Sequence, residues 1–337
     1  VSAFSGVSSS VYSDGNGKNQ RVGTKGFPLI GSVRQTVGTT PFGDAVVSEA
    51  TFGGKDSPFQ YTLTLKRLKH RNAFTVQGVF HNHSAADVNL IAFDLLDTRK
   101  ESGGRFEVQH PDEWLVTPLM GDSPALSLTV AEKRLNEAAL VYPRQGNGFL
   151  VGPVGPAEAY TTVQAVGQSI LASVEMDRVL VRAGQSRRSE EMIFVFAPVA
   201  MATDLWTRWV AFTHGDRRLR GPVYGWCSWY DRTTKIDEAH VMNVTKTIAE
   251  NPNVFGKGVI QIDDGYQKMD GDWSGNEKFP SGLAAVAKRI REAGCTPGVW
   301  FAPLMMSPDH PWQKQHPEAM QTDARGIASF MNANPFH

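Results

Sequence analysis

The chain has 337 residues, and its 34 lysines and arginines are balanced by 34 aspartates and glutamates. That length allows two domains with real cores, and a formal net charge of zero with no basic tract argues against nucleic acid as a partner. No apolar run reaches the ~18 residues of a membrane span. The two cysteines, Cys227 and Cys295, are too few for a disulfide framework and read as small buried thiols.

Residues 1–20 are rich in Ser, Gly and Asn without sustained periodicity, so a mobile terminus is expected there. From about Ala45 the pattern becomes β. Phe59–Leu65 and Phe74–Phe80 alternate at period two, and Val88–Leu95 makes a further strand. Later runs fall near Ser127–Ala131, Ala139–Tyr142, Gly148–Val151, Ala159–Val166, Ile170–Glu175, Arg178–Val181 and Glu190–Phe196. Short strands at this spacing, with Gly, Asn and Pro between them, predict a β-sandwich. His81 and His83 form an H-x-H pair with a metal-like spacing, but the sequence then turns at Ser84–Asp87 with no third ligand. They read better as polar side chains on the surface. No G-x-S-x-G elbow, Walker A loop or G-x-G-x-x-G fingerprint occurs.

Asp204–His214 places Leu205, Trp206, Trp209, Val210 and Phe212 at three- and four-residue spacings, which predicts a helix linking two domains. The period then changes. Val223–Tyr230 is a nearly continuous apolar run, as in a parallel strand covered on both faces. A helix should follow, with Val241, Val244 and Ile248 on one face and Asp237 near its start.

Next comes Val259-Ile260-Gln261-Ile262-Asp263-Asp264-Gly265-Tyr266, a β-branched run that meets two carboxylates and a glycine. Within a strand, adjacent side chains point to opposite faces. At a strand end the pleat breaks and Gly265 frees the backbone, so both acids can turn toward one ligand. The alternative is a simple Asp-Gly hairpin turn. The sequence beyond it, a loop, an amphipathic run and the strand Pro297–Ala302, suits a parallel βαβ unit instead. In that amphipathic run Ser281 is the expected N-cap, Leu283, Val286 and Ile290 the buried face and Gly294 the C-terminus.

The motifs Gly225-Trp226-Cys227-Ser228-Trp229-Tyr230, Asp263-Asp264-Gly265-Tyr266, Gly271-Asp272-Trp273, Lys278–Leu283 and Gly298–Pro303 resemble the catalytic domain of glycoside hydrolase family 36, the α-galactosidase and raffinose-synthase-like group. The resemblance is specific over about residues 221–305. It implies an N-terminal β-supersandwich followed by the first three βα units of a (β/α)8 TIM barrel. The expected domains are a β-sandwich over 1–200, a linker helix over 201–220 and the first part of the barrel over 221–337. By the same resemblance, Asp263 and Asp264 would hold the galactose hydroxyls at carbons 4 and 6, and Trp229 and Trp300 would line the sugar pocket. Barrel core is the competing role for Trp229 and Trp300, and Trp226 and Trp273 join them as substrate-binding candidates.

Family members hydrolyse with retention, using two carboxyls about 5 Å apart. The family carries these on the fourth and sixth barrel strands, the first in a Lys-x-Asp pattern. No such pattern on a fourth strand is visible here, so no catalytic residue is assigned, and the chain is expected to be the N-terminal portion of a longer enzyme. The implied activity is retaining hydrolysis of terminal α-linked galactose. The alternatives are galactosyl transfer to another sugar, and a non-catalytic carbohydrate-binding protein with a degenerate barrel. No cofactor is implied. The expected partner is a galactoside or oligosaccharide, self-association of the full-length protein is left open, and the compartment is open between cytoplasm and periplasm.

Overall fold

The structure is a computed structural model, and it describes residues 3–13, 17–108, 110–118, 126–127, 132–136, 138–143, 146–155, 159–166, 169–213 and 223–320. The chain divides into two compact units, Val1–Arg217 and Arg218–His337.

The first unit is built from antiparallel strands. Among the described residues they form a ten-stranded and a six-stranded sheet, beside a separate two-stranded pair. Alternation makes the two large sheets into a sandwich. In Ala73–Asn82 every second residue is buried along most of the strand, and Phe80 is fully enclosed. Tyr61, Phe80, Phe149 and Phe194 from the larger sheet meet Leu90, Phe93, Ile170 and Val174 from the smaller in one core.

The N-terminal expectation is corrected. Val7–Ser13 is no mobile tail but an inner strand of the six-stranded sheet, paired with Asn19–Gly23 and Val88–Asp97. Its serines hid it, because they carry no apolar period. Ser8, Ser9 and Ser10 are nonetheless buried, and the Ser8 hydroxyl is hydrogen-bonded to the Tyr61 phenol at 2.6 Å. Leu29–Thr40 also escaped the pattern. It is exposed over most of its length and is held by pairing with Gly43–Gly53. The two strands expected over 170–181 are one, Ser169–Val181, whose register shifts between Glu175 and Val179 where Asp177 and Arg178 take positive φ. The strand expected near 127–131 falls mostly outside the described residues, as do 214–222 and 321–337.

The helix Val199–Thr213 belongs to this first unit. Ala202, Leu205 and Trp209 pack on Leu140, Leu150, Ile193 and Val195, and the Trp206 indole donates to the Pro153 carbonyl at 2.8 Å. Burial of Leu205 and of Trp209 stabilises that seam by about 2 kcal/mol each.

The second unit contains three parallel strands, Gly225–Cys227, Val259–Ile262 and Thr296–Val299, with Val259–Ile262 in the middle. The helices Glu238–Glu250 and Leu283–Glu292 connect them in turn and bury Val241, Ile248, Val286 and Ile290 against Ile260, Ile262 and Phe279. Asp237 caps the first helix by accepting from the His240 amide at 2.7 Å. The cap expected from Ser281 is absent. Gly282 precedes the second helix with φ 79°, and Ser281 donates instead to Glu238 at 2.6 Å. The long apolar run from Val223 also breaks early. Ser228 accepts from the Asp231 and Arg232 amides and turns Trp229–Arg232 into a short helix.

Candidate functional site

Parallel register decides which side chains share the carboxyl ends of the strands. Cys227 stands opposite Gln261, and Ile262 opposite Val299. Asp263 follows Ile262, the last residue of the strand, and lies two residues after Gln261, whose side-chain amide reaches its carboxylate. The strand backbones are tied at this point. The Ser228 amide donates to the Gln261 carbonyl at 3.1 Å, the Asp263 amide to the Ser228 hydroxyl at 2.8 Å, and the Trp300 amide to the Ile262 carbonyl at 2.9 Å.

Asp263 and Asp264 are 9% and 4% exposed. One oxygen of Asp263, Oδ2, accepts from the Cys227 thiol at 3.2 Å and the Gln261 amide at 2.8 Å, while Oδ1 accepts from the Asp264 backbone at 2.9 Å. Asp264 Oδ1 accepts from the Gln267 side-chain amide at 2.6 Å, and Gln267 Oε1 accepts in return from the Gly265 amide at 2.9 Å. Gly265 makes this turn with φ 109°. A Cβ there would lie 2.5 Å from the Thr234 Cα, so no other residue fits without moving the backbone.

Two neighbouring groups hold their protons. Burial, and then the Asp264 charge, push the Tyr266 phenol up, so it remains neutral and donates to the Trp300 carbonyl at 2.9 Å. Burial first, and then the hydrogen bond and charge of Asp263, push the Cys227 thiol up.

The aromatic candidates separate. Trp300 and Trp273 meet edge to face at 5.8 Å, with Phe301 a further 6.3 Å neighbour of Trp273. Trp273 sits on Asp272–Gly275, one arm of a hairpin with Gln267–Met269 that follows the acids. Trp229 is half-buried on the short helix after Ser228. Trp226 alternates with Cys227 and turns to the helix layer, 5.9 Å from the His240 ring.

Cys227, Gln261 and Gln267 were missed as candidates. A polar Gln261 inside a β-branched strand, two residues before Asp263, was the available signal. Among the described residues no group of three or more His, Cys, Asp and Glu is arranged to hold a metal ion. Both ring nitrogens of His81 are taken, by the Thr62 and Ser186 hydroxyls. No helix among the described residues is long and apolar enough to cross a membrane.

The known proteins that this chain resembles are α-galactosidases. The melibiase family model matches residues 237–332. Alpha-galactosidase AgaA of Geobacillus stearothermophilus is 26% identical over 155 residues, which is 41% of this chain and 20% of that protein. Alpha-galactosidase Mel36A of Lactobacillus acidophilus is 33% identical over 81 residues, 22% of this chain and 11% of its own length. The crystal structure of a substituted variant of AgaA, a glycoside hydrolase family 36 enzyme, with 1-deoxygalactonojirimycin superposes with a TM-score of 0.55 at 17% identity, covering 91% of this chain and 47% of that one. The α-galactosidase from Lactobacillus brevis gives 0.55 at 16% identity, with 92% and 46% coverage. The chain thus spans less than half the length of these solved structures, and the two crystal comparisons speak for the fold. Together these likenesses make the chain similar to α-galactosidases over the part that they cover.

Proposed function

We propose that this chain forms part of a retaining glycosidase acting on terminal α-linked galactose, and that Asp263 and Asp264 take hydroxyls of the sugar. The observation that carries this is the pair of buried, adjacent carboxylates at the end of the middle parallel strand. An ionised carboxylate is an acceptor only and grips hydroxyl donors through charge-assisted bonds. Strand carboxyl ends are where an α/β barrel gathers its ligand contacts. The edge-to-face pair Trp273 and Trp300 supplies apolar ring surface that suits the C–H face of a sugar. Substituted variants of AgaA have been crystallised with stachyose and with raffinose, which supports a galactoside as the ligand.

The three parallel strands are read as the start of an eight-stranded barrel. Val299, Phe301 and Leu304 are 49%, 55% and 99% exposed, apolar surface that further strands would cover. A retaining mechanism needs a nucleophilic carboxylate below the anomeric carbon and an acid/base beside the leaving oxygen, about 5 Å apart. Neither role is given to Asp263 or Asp264, whose place is substrate binding, so the two catalytic carboxyls are assigned to later strands. The experiment is a galactose titration and an aryl α-galactoside assay. Residues 1–337 should bind galactose weakly and hydrolyse nothing, and a longer protein containing them should hydrolyse. Asp264→Ala should remove binding and cost the longer protein several kcal/mol of transition-state stabilisation, on the order of 3. Galactose affinity unchanged by Asp264→Ala would overturn the site. Hydrolysis by residues 1–337 would place the nucleophile among the acids present here.

A further inference from the structure

Asp263 is held by three neutral donors. Oδ2 accepts from the Cys227 thiol and the Gln261 amide, and Oδ1 from the Asp264 backbone. The Gln261 amide nitrogen also lies 3.7 Å from the Cys227 sulfur, which closes a three-sided network. The register explains the meeting, since Cys227 and Gln261 are direct partners across the parallel ladder. A carboxylate has about four acceptor positions, two on each oxygen. Three are filled in Asp263, and both of those on Oδ2 are among them.

We infer that Gln261 and Cys227 are positioning residues which fix the Asp263 carboxylate so that one acceptor position, on Oδ1, is left to take a single sugar hydroxyl. This rests on the galactose-binding reading above and narrows it. Asp263 discriminates among sugars by one hydroxyl, and the direction of that bond is set before the ligand arrives. A free carboxylate rotates about its last bond and presents either oxygen. Here rotation would break two donors' bonds at once, so the ordering cost falls on the fold and not on binding. The thiol suits the role because burial and the neighbouring charge keep its proton in place to be donated.

The test has two arms. In the first, galactose, 4-deoxygalactose and 6-deoxygalactose are titrated into residues 1–337 by ligand-observed NMR. Gln261→Leu should weaken galactose about fivefold and Cys227→Ala about threefold, while Cys227→Ser restores the donor and the affinity. Against the deoxygalactose that lacks the hydroxyl taken by Asp263, Gln261→Leu should add no further loss. A residue that merely supports the fold would weaken all three sugars alike. Wild-type affinity in both Gln261→Leu and Cys227→Ala, with binding still abolished by Asp263→Ala, would overturn the positioning role and leave the sugar site standing. Absence of galactose binding in the wild type would instead overturn the reading beneath it. The second arm needs no ligand. Asp263→Asn removes the charge that holds the thiol proton, so alkylation of Cys227 by iodoacetamide at mildly alkaline pH should accelerate about threefold, with buried Cys295 as the unreactive control. An unchanged rate would mean that no such bond exists, whatever the sugar does.

Discussion

In the first unit a buried acid meets a cation, and in the second a buried acid meets neutral donors. Asp97, whose side chain is 4% exposed, receives the Arg99 guanidinium on both oxygens, at 2.9 and 2.7 Å, together with the Ser102 hydroxyl at 2.5 Å. Asp94 likewise pairs with Arg21 and accepts from Ser173 at 2.7 Å. Asp263 has a thiol, an amide and a backbone N–H. The sandwich acids are thereby neutralised within the fold. The charge of Asp263 is hydrogen-bonded but not cancelled by any of these donors, which suits a group that is to receive hydroxyls.

The comparison breaks most readily at Asp97. Arg99 can only donate, so Asp97→Asn leaves a guanidinium facing an amide and should cost the first unit about 3 kcal/mol in denaturant unfolding. Burial alone would raise the Asp97 carboxyl, but the bonds from Arg99 and Ser102 and the guanidinium charge more than offset it and hold it below the usual range. With a folded pKa below the unfolded value of about 3.9, this contribution is present above that pH and lost as pH falls through the folded pKa. Acid unfolding of the wild type followed by first-unit fluorescence should therefore begin below about pH 4. A loss centred near neutrality would contradict the assignment.

Gly265→Ala should be next in size, at about 2 kcal/mol or more, because the new Cβ meets the Thr234 backbone while φ stays at 109°. The same change should abolish galactose binding, and a variant that melts and binds like wild type would show that the turn is not constrained. Trp300→Ala removes the edge-to-face contact with Trp273. It should lower second-unit stability by about 1 kcal/mol and weaken galactose a few-fold, read by calorimetry.

Asp263→Asn should be the mildest for stability, under ~1 kcal/mol, because its partners adapt. The Cys227 sulfur can accept where it donated, and the Gln261 amide can turn to present its oxygen. Galactose binding should fall nonetheless. A destabilisation as large as that of Asp97→Asn would erase the distinction drawn between the two acids.

Much of this was legible in the residues. Phe59–Leu65 and Phe74–Phe80 alternate because one face of each enters the sandwich core, Val88–Leu95 reads as a strand although its second half is buried on both faces, and the structure extends each by a few residues. The βαβαβ order around Asp263 and Asp264 was readable because helices and strands there bury apolar residues at their own periods. Val7–Ser13 was not readable, since its buried residues are mainly serines whose burial depends on partners such as Tyr61, far along the chain. Trp229 was placed on a strand by its apolar neighbours. Ser228 turns the chain before it, and that turn depends on bonds to the neighbouring strand.

The sequence by itself determined the adjacent acids, the glycine that lets the chain turn after them, and the alternation of apolar residues that makes strands and helices. These are local properties of side chains and backbone. Tertiary structure alone decided that Cys227 stands opposite Gln261 and that both converge on Asp263. That convergence depends on which residues a parallel ladder sets side by side, and register between distant segments is fixed only when the helices between them have packed.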